Sequence, residues 1–160
     1  MDNLNVSFRY NVLPDDPKTI EEIVRSTGFF YEHEIIVANE LAKERLIKGF
    51  DSGYFFIFAE YKDIVVSYAC YGPTPCTKGT YDLYWIVTHN DFRGKGIGKM
   101  LLDQAIEHAI KDGFKYMYLE TLPQLSLAVN MYKKYGFENL NGPLGNSGHF
   151  GCNMWMGREL

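Results

Sequence analysis

A glycine-rich, cationic loop occupies residues 90–102, which read NDFRGKGIGKMLL. Glycines and basic side chains alternate there: Gly94, Gly96 and Gly98 with Arg93, Lys95 and Lys99. Glycine lets the backbone approach a ligand because no Cβ is in the way, and the first turn of a helix carries unpaired N–H groups and partial positive charge. Phosphate binds well in such a place. The loop is therefore a candidate phosphate site, and the competing interpretation is a tight strand-to-helix turn with solvated charges.

The common nucleotide-binding motifs do not describe this loop. A Walker loop needs serine or threonine after its lysine, but Met100 follows Lys99. A dinucleotide fold needs G-x-G-x-x-G close to the first strand, whereas these glycines alternate and come late in the chain.

The elements around the loop follow from the periodicity of apolar residues. A nearly continuous β-prone run over 80–88 predicts a strand covered on both faces, and one apolar stripe predicts a helix over about 96–112. Asp16 is the expected N-cap of the first helix. Strands are predicted at 6–13, 53–72 (a hairpin turning at 61–63), 114–121, near 137 and at 149–160, and helices at 17–26, 32–49 and 125–136. This mixed order predicts one α/β sheet with helices on both faces.

Composition limits the classes of protein that fit. The 160 residues, 46% of them hydrophobic, suit one domain with a substantial core. A net charge of −4 and a pI near 5.5 argue against nucleic-acid binding. The sequence lacks an apolar run near the ~20 residues of a membrane span and a signal-peptide pattern, so we expect a cytoplasmic protein. Cys70, Cys76 and Cys152 lack metal-site spacing, so we expect reduced thiols and no metal.

A second motif lies downstream of the loop. The pattern R-x-x-G-x-G, filled by Arg93, Gly96 and Gly98, is followed by a predicted strand and then by AVNMYKKYGF at 128–137. In this order the motifs resemble the GNAT superfamily of acyl-CoA-dependent N-acyltransferases, over nearly the whole chain. The resemblance implies one GNAT-like domain over 1–160, with a mixed, mostly antiparallel sheet and a central splayed strand pair. It also implies acetyl-CoA as co-substrate, an amine acceptor, and a monomer or homodimer.

The resemblance assigns the cofactor contacts. The backbone amides of the loop would hold the pyrophosphate of acetyl-CoA, and the strand before it would pair with the pantetheine arm as an added strand would. The residues concerned are Gly94, Lys95, Gly96, Ile97, Gly98 and Lys99, with Arg93, for the pyrophosphate, and Ile86, Val87 and Thr88 for the arm. Leu125 stands where the family often has an asparagine that contacts the arm.

The resemblance also implies two catalytic roles. Tyr132 matches the tyrosine that protonates the departing CoA thiolate, and a phenol with a pKa of about 10 holds its proton at neutral pH. Glu120 ends a predicted strand and matches the general base of some members. The alternative to each catalytic role is a structural one: Tyr132 would only pack between helix and sheet, and Glu120 would be a solvated glutamate at the end of a strand. Asp82 and Tyr84 share a strand face with Ile86 and are reserve candidates for the base or for a water relay.

The acceptor is left open. In the superfamily the connection between the first two helices covers the acceptor side, and here it contains Phe29, Phe30 and Tyr31. These aromatics could form that lid or pack into the core. Small amines and protein amines both fit, and an acyl-CoA-binding module without turnover is the alternative from another class.

Overall fold

The structure is a computed structural model that describes residues 4–144 and 154–160. Its strands are β1 Ser7–Arg9, β2 Phe55–Tyr61, β3 Ile64–Pro73, β4 Thr80–Thr88, β5 Tyr116–Thr121, β6 Glu138–Leu140 and β7 Met154–Glu159. Its α-helices are α1 Asp16–Ser26, α2 Glu32–Lys48, α3 Ile97–Lys111 and α4 Ser126–Lys134, and short 3₁₀ turns cover Gly49–Ser52 and Asn90–Phe92. Across these residues, none of the helices has the length and apolar character that a membrane crossing demands. Cys152 and the predicted start of the last strand lie outside the described residues.

In the described part of the chain, seven strands form one sheet in the order β1-β2-β3-β4-β5-β7-β6. β4 and β5 run parallel, whereas the pairs β1–β2, β2–β3, β5–β7 and β6–β7 are antiparallel. The ladder between β4 and β5 ends at the pair Leu83 and Leu119, although both strands continue. The predicted α/β class, with a mixed and mostly antiparallel sheet, is confirmed.

Local signals placed most elements correctly. β4 has the predicted limits, and α3 begins at Ile97, inside the glycine-rich segment and one residue after the predicted start. Lys62 and Asp63 form the two-residue hairpin turn with φ of 49° and 64°, the left-handed geometry that matches the twist of the flanking strands.

The first strand is shorter than predicted, and Asp16 is not the helix cap. The strand stops at Arg9, because the backbone N–H of Leu13 donates to the Asp16 carboxylate (2.7 Å) instead of joining a ladder. Asp15 occupies the N-cap without a side-chain cap bond. Asp16 also accepts two hydrogen bonds from the Arg9 guanidinium, at 2.6 and 3.0 Å. These bonds raise the pKa of Arg9 above its usual value and join β1 to α1.

Contacts along the backbone divide the chain into two compact units. Unit 1 contains residues 1–71 and 85–105, and unit 2 contains residues 72–84 and 106–160. Fully buried side chains from several elements form the core of unit 1: Ile20, Val24, Ala38, Ile57, Phe58, Leu101 and Leu102. In unit 2 the corresponding buried set is Tyr81, Leu83, Ala109, Met117, Leu119, Phe137 and Met156.

Candidate active site

The glycine loop lies in unit 1, between the 3₁₀ turn at Asn90–Phe92 and the start of α3. Gly96 has φ of 78°, a left-handed conformation that strains residues with a side chain. Gly98 has no such φ, and a Cβ built on it meets nothing within 4 Å. In the described residues, therefore, neither backbone conformation nor packing requires glycine at position 98. Open space at a helix start is what a ligand that approaches the backbone needs.

The first turn of α3 supplies donors and charge. Met100 N–H donates to Gly96 O at 3.2 Å, so the N–H groups of Ile97 and Gly98 precede the intrahelical ladder. Ile97 is buried in the core and anchors this turn, whereas Gly96 before it is exposed and Gly98 after it is half-buried. The Arg93 guanidinium is exposed and lies 5.7 Å from the ring centre of Phe29, a cation–π contact between the loop and the α1–α2 connection.

The predicted arm-contact residues lie at the end of β4. Val87 is buried and Thr88 is half-buried, and both touch the fully buried Ser67 of β3. Ser67 Oγ donates to Val87 O at 2.8 Å and lies 2.8 Å from Thr88 Oγ1. No motif in the sequence marked Ser67, because a single serine in a β-prone run carries no signal.

The three aromatics of the α1–α2 connection are expected either to cover the acceptor side or to pack into the core, and they differ in their surroundings. Phe30 packs on Trp85 of β4, with ring centres 5.2 Å apart, as a core staple would. Phe29 and Tyr31 are 53% and 73% exposed. The Glu34 carboxylate accepts a hydrogen bond from the backbone N–H of Tyr31 at 3.2 Å, so this acid caps the N-terminus of α2.

The candidate base lies in unit 2 beside other polar groups. Glu120 is in register with Trp155 of β7, and the indole Nε1–H donates to Glu120 Oε1 at 3.1 Å. Tyr118, two residues earlier on the same face of β5, is buried, and burial raises its pKa well above the usual value. The negative charges of Glu120 and Asp82 act in the same direction. Asp82 is fully buried and in register with Tyr118, so these residues form one acidic cluster.

The candidate acid lies on α4, also in unit 2. Tyr132 is 5% exposed and meets Phe137 edge to face, with ring centres 5.9 Å apart. Burial raises the pKa of Tyr132 well above its ordinary value, so its phenol keeps its proton at neutral pH. Leu125 occupies the N-cap of α4 and makes no side-chain cap bond. The hydroxyl of Tyr84, one of the reserve candidates, donates to Pro73 O at 3.1 Å.

The predicted site residues therefore fall into two groups. The loop, the end of β4 and the three aromatics belong to unit 1, and the polar candidates Glu120, Tyr132, Asp82 and Tyr84 belong to unit 2. Cys70 is buried and Cys76 is exposed, both as reduced thiols. Over residues 4–144 and 154–160 there is no group of three or more His, Cys, Asp or Glu side chains that could hold a metal ion.

Several known proteins are similar to this chain in sequence and in fold. The sequence model of the acetyltransferase (GNAT) family matches residues 18–137. The uncharacterized N-acetyltransferase YjgM of Escherichia coli K12 is 31% identical over 162 residues, covering 96% of this chain and 94% of the relative. A crystal structure of a GNAT-family protein from Desulfovibrio desulfuricans has a TM-score of 0.86 at 36% identity, covering 96% of this chain and 98% of its own. PaiA N-acetyltransferase from Thermoplasma acidophilum, crystallised with coenzyme A, has a TM-score of 0.75 at 19% identity, covering 96% and 99% of the two chains.

The chain belongs to the GNAT family of acetyltransferases, and its activity class is N-acetyltransferase. The resemblance stated from the glycine loop and the Y-x-x-x-G-F motif is thereby confirmed, together with the fold and the enzyme class.

Proposed function

We propose that this protein transfers an acetyl group from acetyl-CoA to a primary amine by direct attack, with residues 1–160 acting as one domain. The observation that carries the proposal is the start of α3. There Gly96 is left-handed and a Cβ on Gly98 would meet open space, beside N–H groups that precede the first intrahelical bond, and an anion binds well at such a helix start.

The cofactor would bind along unit 1. The pyrophosphate would accept hydrogen bonds from the amides of residues 94–99, with Arg93 adding positive charge. The pantetheine arm would pair with the backbone of Ile86, Val87 and Thr88, as an added strand pairs with a sheet. The end of the β4–β5 ladder at Leu83 supports this, because β4 continues for five residues beyond it, to Thr88.

Glu120 would be the general base that makes the amine nucleophilic. The neutral amine nitrogen then attacks the thioester carbonyl, and a backbone N–H of β4 would stabilise the oxyanion. The indole hydrogen bond to Oε1 supports this role, because it holds the carboxylate in one orientation. Asp82 and Tyr84 remain the reserve candidates for a water relay.

Replacing the base gives a test of its role. Glu120→Gln can keep the hydrogen bond from Trp155 through its carbonyl oxygen but cannot take a proton. We expect a fall in kcat that eases at high pH, where more of the amine is already neutral. Glu107→Gln, on the exposed face of α3, is the matched control and should leave the pH profile unchanged. A parallel loss at every pH would contradict the assignment.

Tyr132 would supply the proton at the other end of the reaction. When the tetrahedral intermediate collapses, the carbon–sulfur bond breaks and the thiolate takes the phenolic proton. The match of Tyr132 to the Y-x-x-x-G-F motif supports this role, whereas burial raises the pKa of the phenol and thereby makes it a weaker acid. The covalent route through a cysteine has no support, since no histidine motif adjoins these thiols.

A small amine is the acceptor that we favour, with the exposed rings of Phe29 and Tyr31 contributing to its pocket. Phe30 would act there only indirectly, through its packing on Trp85. The alternative is a CoA-binding module without turnover, which Leu125 in place of an asparagine favours.

One experiment separates the two functions. CoA release would be followed with a thiol reagent across amino acids, polyamines, amino sugars and peptides, beside thermal stabilisation by acetyl-CoA. Amine-dependent CoA release supports the enzyme. Stabilisation without release from any amine of the panel supports the binding module, and absence of stabilisation contradicts both.

A further inference from the structure

β3 has a bulge opposite the end of β4. Ala59 of β2 pairs with Ser67, but the next residue, Glu60, pairs with Val65. Val66 is therefore an extra residue in β3, and such a bulge redirects the neighbouring backbone and side chains.

Two hydrogen bonds join the bulged part of β3 to the end of β4 and the residue that follows it. Val66 O accepts the backbone N–H of His89 at 2.8 Å. The next residue contributes its side chain, and Ser67 Oγ donates to Val87 O at 2.8 Å. A serine side chain of β3 thus binds the backbone of β4 directly.

The direction of the second bond follows from counting protons. Ser67 has one hydroxyl proton, which is committed to Val87 O. The 2.8 Å contact with Thr88 Oγ1 therefore requires Thr88 to donate to Ser67. Ser67 is 0% exposed, so its hydroxyl has no access to solvent. The result is a chain from Thr88 through Ser67 to Val87 that fixes two consecutive residues of β4.

This segment depends on β3 for its position. The β4–β5 ladder ends at Leu83, and Val87 and Thr88 lie beyond that point. Their peptide groups are also the ones that the proposed function assigns to the arm and thioester of acetyl-CoA. A shift of about 1 Å in such groups can cost roughly 100-fold in rate.

We propose that Ser67 is a positioning residue, which orients the end of β4 toward the thioester through Val87 and Thr88. The inference rests on the proposed function. Ser67 itself does not touch the reacting atoms, so its effect on the reaction passes through the β4 backbone.

Infrared spectroscopy of bound, isotope-labelled acetyl-CoA tests this without an acceptor. In the wild type, the thioester carbonyl band should lie below that of free acetyl-CoA, because a backbone N–H polarises it. In Ser67→Ala at saturating acetyl-CoA, the band should move back toward the free position. Once an acceptor is known, kcat/KM should fall roughly 10- to 100-fold.

Ser52→Ala is the matched control. Ser52 Oγ also donates to a backbone carbonyl, Gly49 O at 2.8 Å, and accepts the N–H of Tyr54, but both bonds lie within the 3₁₀ turn after α2 and its exit and involve no residue of β4. This variant should lose stability but keep the wild-type carbonyl band.

Thr88→Val is the second variant, for use if Ser67→Ala does not fold. It removes only the hydrogen bond from Thr88 to Ser67, and Thr88 is half-buried. We expect a band shift in the same direction. An unchanged band in both variants, or an equal shift in Ser52→Ala, overturns the inference while the proposed function stands. Failure of wild-type protein to bind acetyl-CoA removes the proposed function and the inference with it.

Discussion

Replacing Gly98 by alanine should stabilise the fold and weaken acetyl-CoA binding at the same time. Gly98 is the second residue of α3, has an ordinary φ, and has open space where a Cβ would lie. Alanine is favoured over glycine in a helix interior by about 0.8–1 kcal/mol, and by less in the first turn. For a chain of this size, a gain of up to about 1 kcal/mol raises Tm by up to about 2–4 °C.

The same methyl group should obstruct the phosphate. If it displaces one charge-assisted amide–phosphate hydrogen bond, the loss is about 1.5–3 kcal/mol. That corresponds to a Kd for acetyl-CoA that is about 10- to 100-fold higher. The ligand would then explain why position 98 is glycine, although glycine is unfavourable in a helix.

Gly96→Ala separates backbone strain from ligand obstruction. Its φ of 78° costs a side-chain-bearing residue about 1–2 kcal/mol, so Tm should fall rather than rise, while acetyl-CoA binding weakens as well. Tm would be measured without ligand and Kd by calorimetry. Gly142→Ala, which also has open space and an ordinary φ, is the control and should bind normally. Wild-type acetyl-CoA affinity in Gly98→Ala would refute the phosphate assignment.

Three further predictions concern side chains. Tyr132→Phe should lower kcat by roughly 10²–10⁴-fold with acetyl-CoA affinity nearly unchanged, because packing survives and only the proton is lost; equal turnover, with chemistry rate-limiting, would leave Tyr132 a packing residue. Burial raises the folded-state pKa of Tyr68 and Tyr132 above the unfolded value of about 10, so their contribution to stability should be complete below that pH and fall above it. The tyrosinate absorbance of these two residues should appear only on unfolding, in addition to that of exposed tyrosines such as Tyr31. Asp16→Ala should cost about 1.5–3 kcal/mol in urea unfolding, because it removes the carboxylate closest to Arg9 while Glu60 still pairs with that guanidinium. Glu32→Ala, which breaks an equally short but exposed pair, should leave Tm near wild type.

Local sequence signals determined the elements and the loop. Periodicity placed β4 at its observed limits and the start of α3 within one residue, because apolar spacing reflects which face of an element is buried. The R-x-x-G-x-G and Y-x-x-x-G-F motifs together identified the family, since their order along the chain is a property of the sequence itself.

Only the tertiary structure decided the partners of the polar side chains. Glu120 meets Trp155 and Ser67 meets Val87, pairs that are 35 and 20 residues apart. Such contacts depend on strand register and on the bulge at Val66, and a shift of one residue in register would turn each side chain to the other face. Apolar periodicity specifies which face of a strand is buried but not which residue of the neighbouring strand lies opposite. The pattern of apolar residues along this chain therefore predicted its elements, and the register of its sheet decided which groups its candidate active site contains.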